Sequence, residues 1–146
     1  MPSNLPVLKA AKELIQSYNK IDLIIDLGSG FGFSTWFFCR NFPSKQLLSI
    51  EGSKPVGWVQ KGLLKVSGLK NYSFCAGNFF EIPQEKKGCF FAYLYPDRDN
   101  KIKDYFLNQC PKGSIMITIA FALQLKEKKK VVVNDLFSTK IYVYEN

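Results

Sequence analysis

Residues Ile21 to Gly32 read IDLIIDLGSGFG, and this stretch decides the fold. Five of its first seven residues are apolar and three of those are β-branched isoleucines, the composition of a short buried strand. Gly28-Ser29-Gly30-Phe31-Gly32 follows at once. Glycine enters left-handed backbone without steric penalty and lets a neighbour approach closely, so this spacing predicts a tight turn. Phe33 to Phe42 then reads as a helix stopped by Pro43. A strand passing through a glycine-rich turn into a helix opens an α/β sheet. In open sheets of that kind, ligands bind beyond the carboxyl ends of the strands.

The pattern continues on both sides. Pro6 to Tyr18 carries Leu8, Ala11, Leu14 and Ile15 at helical spacing. Gln46 to Ile50 is a second buried strand. A helix begins near Lys54-Pro55 behind the capping Ser53 and runs to about Val66, with Gly68 as its stop. Asn71 to Ala76 is a third strand, followed by the loop GNFFEIPQEKKG. Cys89 to Tyr95 is apolar throughout, as in a central parallel strand covered on both faces. Asp99 to Cys110 is a helix and Ser114 to Leu123 a fifth strand. Lys130 to Val133 and Lys140 to Tyr144 are strands joined by NDLFST, too short for a parallel crossover, and so antiparallel. The expected order is a helix, four β-α units, a fifth strand and a hairpin. That makes an α/β, Rossmann-like, seven-stranded, mostly parallel sheet with helices on both faces. Residues 1–146 form a single domain, with the first helix within 1–19 and the hairpin within 128–146. The core uses the whole chain and leaves no inserted lid.

Composition narrows the chemistry. The 146 residues contain no histidine, which removes Ser-His and Cys-His nucleophiles and histidine metal sites. Cys39, Cys75, Cys89 and Cys110 lie far apart without a CxxC pair, so they read as reduced thiols of a cytoplasmic protein. No apolar run approaches a membrane span. The formal net charge is +8, which either attracts an acidic partner such as nucleic acid or reflects solvated lysines; only Lys126 to Lys130 forms a cluster.

The glycine turn is G-x-G-x-G. A dinucleotide fingerprint would need glycine where Phe33 stands, and no G-x-x-x-x-G-K-[ST] phosphate loop occurs. The pattern therefore favours the amino-acid moiety of S-adenosylmethionine (SAM) over a pyrophosphate. Asp26 can hold the ligand ammonium, and Gly28, Ser29, Gly30 and Gly32 form the cradle. Glu51 ends the second strand 25 positions after Asp26, where a carboxylate can accept both ribose hydroxyls; Gly52 beside it permits close approach. Asn78 follows the third strand, suited to the adenine amine, with Phe79 as a stacking neighbour. Tyr95-Pro96 follows the fourth strand. Tyr95 either contributes to catalysis by lining the acceptor channel and orienting an amine, or serves packing. Asp97 and Arg98 read as a helix cap and first turn.

DLGSGFG, the Ile50-Glu51 pair and GNFF together resemble class I SAM-dependent methyltransferases. GNFFE, AYLYP, the PKGS turn before ITIAFAL, and TKIYVYE are similar to a group of very small protein-lysine methyltransferases that includes the one acting on the c-subunit of ATP synthase. The resemblance implies SAM on Asp26, Gly28, Gly30, Glu51 and Asn78, and methyl transfer to an amine, with a protein lysine as the leading acceptor. The chain departs from many members of that group in having Phe31 in place of an acid, and a shortened PSNLP segment. Its text Leu94-Tyr95-Pro96-Asp97 also lacks the [DN]-P-P-[FYW] motif of amide methylation. An RNA or small-molecule methyltransferase, and a non-catalytic SAM-binding protein, are the alternatives. Methyl transfer is a displacement in which the protein supplies alignment, so a lack of histidine is no obstacle.

Overall fold

The computed structural model describes residues 4–94 and 96–146. Seven strands form one sheet in the order β3-β2-β1-β4-β5-β7-β6: β1 (Leu23–Leu27), β2 (Gln46–Glu51), β3 (Tyr72–Ala76), β4 (Cys89–Ala92), β5 (Ile115–Ile119), β6 (Lys129–Val132) and β7 (Lys140–Glu145). The first five are parallel, while β7 is antiparallel to both β5 and β6. β6 therefore points the same way as β1 to β5. The exits of all six, and the turn after β6, lie on one edge. Strand order reverses between β1 and β4, and this is where open sheets leave a crevice.

Helix α1 (Leu5–Gln16) starts where the Asn4 side chain accepts the Val7 N–H at 3.0 Å, satisfying one of the donors orphaned at a helix start. It buries Val7, Leu8, Ala11, Leu14 and Ile15. Helix α2 (Phe33–Asn41) packs beside it and drives Phe38 edge-on against Phe91 of β4, with ring centroids 5.0 Å apart. Alternation along the strands divides the core. Ile24, Phe91 and Ile117 face α1 and α2, while Ile25, Phe90 and Met116 face α4 (Asp99–Gln109). Helix α3 (Lys54–Val66) packs along β2 and β3. Complete burial of a large apolar side chain such as Phe38 or Phe90 stabilises by roughly 1.5–3 kcal/mol, so the double-sided core fixes the central strands on which the ligand edge rests.

Two differences from the expected elements have local causes. The connection after β3 is a loop, as its text suggests, and not the helix of a fourth β-α unit; it holds only a short 3-10 turn (Phe79–Glu81). Twelve residues containing Pro83 and two glycines leave little room for one, and Phe79 plugs the sheet instead. The fourth and fifth strands are shorter than their apolar runs suggest. β4 ends at Ala92, and β5 ends at Ile119 because Ala120 takes a left-handed φ of 68°. No described helix is long and apolar enough to cross a membrane.

Candidate cofactor site

The glycine loop lies directly over the β1 exit. Gly28 and Ser29 both donate their backbone N–H to the Ile50 carbonyl of β2, at 2.9 and 3.1 Å. Gly28 and Gly32 have φ of 66° and 84°, a region that side-chain-bearing residues rarely enter. Both are also hemmed in. A Cβ at Gly28 would lie 2.6 Å from Leu94 Cδ2, and one at Gly32 would lie 2.5 Å from Gln60 Cγ. Gly30 between them differs: a Cβ there would meet nothing within 4 Å. The loop is thus pinned at both ends and open in its middle.

Asp26 sits beneath this loop, 2% exposed. Its Oδ2 accepts from the Ser34 hydroxyl at 2.6 Å and the Thr35 hydroxyl at 2.7 Å, both in the first turn of α2. Burial raises its pKa to about 6, against the lowering effect of those two hydroxyls; the nearby Glu51 charge raises it further. A buried carboxylate whose ionisation is costly gains most from a cationic partner.

Glu51 ends β2. Its Oε2 accepts the Gly30 N–H at 2.7 Å and its Oε1 the Ser53 N–H at 2.8 Å. A carboxylate offers about four lone-pair sites, so each oxygen keeps capacity for another donor. Gly52 lies against the backbone of Gly77, whose carbonyl oxygen is 3.5 Å from a Cβ placed on Gly52, so the β2 and β3 exits abut. Asn78 is exposed. Its Oδ1 accepts the Phe80 N–H at 3.2 Å and its Nδ2 donates to Glu81 Oε1 at 3.2 Å.

The structure thus brings Asp26, Gly28, Gly30, Gly32, Glu51, Gly52 and Asn78 to one edge, and it changes the part of two others. Ser29 is only 7% exposed and its hydroxyl turns inward, to Gln60 Oε1 at 2.9 Å and to Ser49 Oγ at 2.6 Å. It braces the loop from below rather than facing a ligand. Phe79 is 5% exposed and packs edge-on to Tyr105 at 5.5 Å, so it is core. The half-buried aromatic beside it is Phe80, 4.2 Å away between ring centroids. Tyr95 lies outside the described residues. Ser53 stands at the start of α3 but makes no side-chain cap; its backbone N–H donates to Glu51.

Sequence reading overlooked Ser34, Thr35, Leu94 and Gln60. Only the first two carried a signal: hydroxyls eight and nine positions after Asp26, on the helix that the glycine loop opens. Gln60 and Leu94 reach the loop through tertiary packing alone.

No protein-family model and no curated protein matches the chain. Solved structures do. An RNA methyltransferase from Salinibacter ruber in complex with S-adenosyl-L-homocysteine superposes with a TM-score of 0.87 at 22% identity, over 99% of this chain and 93% of that one. The chain has the fold of the class I SAM-dependent methyltransferases. Within that methyltransferase fold, an rRNA methylase from Streptococcus thermophilus matches with a TM-score of 0.71 at 11% identity, over 100% of this chain and 98% of that one. PKMT2 from Rickettsia typhi in complex with AdoHcy matches with a TM-score of 0.58 at 15% identity, over 69% of this chain but 21% of that one. In this fold the glycine loop, Asp26, Glu51 and Asn78 of the chain occupy the exits of three adjacent strands, β1, β2 and β3.

Proposed function

We propose that the chain is a SAM-dependent methyltransferase acting on RNA. The observation that carries the methyltransferase reading is the open middle of the glycine loop, bounded by Asp26, Glu51 and Asn78 at adjacent strand exits. The residues fit the group. Asp26 would hold the amino-acid ammonium, with the free N–H groups at the start of α2 near the carboxylate. Glu51 would accept the ribose hydroxyls, and Asn78 would meet the adenine amine. SAM supplies the sulfonium methyl and its own leaving group. The protein's contribution is alignment and a polar enclosure, which together account for much of such a rate enhancement. RNA is favoured by the net charge of +8 and by the likeness to two structures named for RNA substrates.

A protein lysine is the second reading. It rests on the resemblance of GNFFE, AYLYP and TKIYVYE to small lysine methyltransferases, and on one feature of the ligand edge. The turn after β6 displays Leu136, 91% exposed, and Phe137, 77% exposed, side chains better suited to a peptide than to a phosphate backbone.

Incubation of the protein with methyl-labelled SAM and cell extract separates these readings. Label that nuclease releases supports RNA, and label that survives nuclease but not protease supports a protein acceptor. A protein that binds SAM and transfers no label to either would make it a binding protein without turnover.

A further inference from the structure

We propose that Gln60, on α3, is a positioning residue that sets the shape of the glycine loop for its nucleoside ligand, through a closed ring of hydrogen bonds with Ser29 and Ser49. The inference rests on the SAM-binding reading above and adds to it a residue that does not touch the ligand.

The ring is complete within three side chains. The Ser29 hydroxyl donates to Gln60 Oε1 at 2.9 Å, the Ser49 hydroxyl donates to Ser29 Oγ at 2.6 Å, and the Gln60 amide donates to Ser49 Oγ. Within the ring each hydroxyl donates once and accepts once; the Ile50 carbonyl, at 3.5 Å, is a second and longer acceptor for Ser29. Ser49 and Gln60 are fully buried and Ser29 nearly so. A buried amide that loses its partners is left with an uncompensated desolvation penalty. On the same inward face of α3, Leu64 fills its place with an apolar side chain. Packing alone gives no reason for an amide at position 60; the hydrogen bonds do.

The ring joins the three elements on which the cradle depends. Ser29 belongs to the loop. Ser49 is the β2 residue in register with Asp26 and stands two positions before Glu51. Gln60 comes from α3. The same side chain controls the far end of the loop, because Gln60 Cγ occupies the space a Cβ on Gly32 would need. One residue therefore fixes the start of the loop through Ser29 and its entry into α2 through Gly32. Gly30, between the two, keeps its N–H on Glu51 and its Cα face open. Gln60 is fully buried, so it acts on the ligand only through these neighbours.

The test is calorimetric titration with S-adenosylhomocysteine, at temperatures well below each variant's melting midpoint. Gln60→Met keeps the length and apolar packing and removes both polar atoms. It is expected to weaken binding about tenfold, which corresponds to about 1.4 kcal/mol. Gln60→Glu supplies the stricter check. A neutral carboxyl repeats the amide's pairing of one donor and one acceptor, while an ionised one cannot donate to Ser49. Burial, with Asp26 on β1 and Glu51 on β2 as the acidic neighbours, favours the neutral form. Affinity of Gln60→Glu relative to wild type at the same pH is therefore expected to be low at pH 8 and to recover toward unity at pH 5.5. A Gln60→Met protein that melts lower yet binds with the wild-type constant would overturn the inference, and so would a Gln60→Glu ratio that is flat with pH. Wild-type protein that binds no S-adenosylhomocysteine would overturn the SAM reading itself, and this inference with it.

Discussion

Gly30 and Gly32 should respond to the same substitution in different ways. Both have left-handed backbone, with φ of 57° and 84°. Alanine at either position should cost about 1–2 kcal/mol from backbone strain alone. At Gly32 a second penalty applies. The new methyl would lie 2.5 Å from Gln60 Cγ, and Gln60 cannot swing away without giving up its buried hydrogen bonds to Ser29 and Ser49. Overpacking of that sort costs about 1–3 kcal/mol, for a combined loss of roughly 2–5 kcal/mol in Gly32→Ala. In a chain of this size each kcal/mol moves Tm by about 2–4 °C, so Tm should fall by roughly 4–20 °C. Gly30→Ala meets no protein atom within 4 Å and should lose only the strain contribution. Its methyl instead enters the open space assigned to the ligand, so S-adenosylhomocysteine affinity should drop tenfold or more. Thermal melts and calorimetry on the two variants decide this. Equal losses of Tm would refute the packing argument, and wild-type affinity in Gly30→Ala would refute the location of the ligand.

Asp26 gives a pH signature. Its folded pKa of about 6 lies above the ordinary value of 3.8. Between those values the folded state binds a proton that the unfolded chain has lost, so this group lowers stability as pH rises through the window, by about 3 kcal/mol across it. A ligand ammonium offsets that penalty only when Asp26 is ionised. Affinity for SAM should therefore increase from pH 5 to pH 7 in wild type and stay flat in Asp26→Asn; parallel profiles would remove Asp26 from ammonium binding. Asp135 holds the exposed turn after β6, accepting the Thr139 N–H at 2.8 Å, the Thr139 hydroxyl at 2.6 Å and Asn4 Nδ2 at 2.9 Å. Asp135→Ala should accelerate amide hydrogen exchange at Thr139, and an unchanged rate would show that the turn is held by other contacts. Cys39, Cys89 and Cys110 are buried and Cys75 is half-buried, all of them unpaired, and burial pushes the thiols of Cys39 and Cys110 up to about 12. A thiol reagent should titrate one cysteine quickly in the native protein and four in denaturant; two or more fast sites in the native state would contradict the packing.

The fold was legible because its signals are local. IDLIIDL followed by three glycines, the Ser53-Lys54-Pro55 start of α3 and the Gly68 stop depend on the residues themselves, and α3 ends where Gly68 adopts a φ of 72°. The short link between β6 and β7 also forced their antiparallel pairing. The extents of β4 and β5 were not legible, because apolar character continues past the points where the backbone leaves the sheet. The site was legible as far as it follows strand exits: Asp26, Glu51 and Asn78 come together as the parallel register requires. Side-chain direction was not. Ser29 looks inward because a buried partner waits on α3, 31 positions away, and Phe79 rather than Phe80 fills the core because the 3-10 turn rotates it there. Neither fact has a trace in spacing or composition.

On the proposed reading, a nucleoside sulfonium compound lies in the open middle of the glycine loop. A crystal structure of the protein grown with S-adenosylhomocysteine tests it directly. Density is expected over Gly30, with the ammonium toward Asp26, the ribose hydroxyls on Glu51 and the base beside Asn78. Density at another surface, or a loop closed over Gly30 with nothing bound, would contradict it.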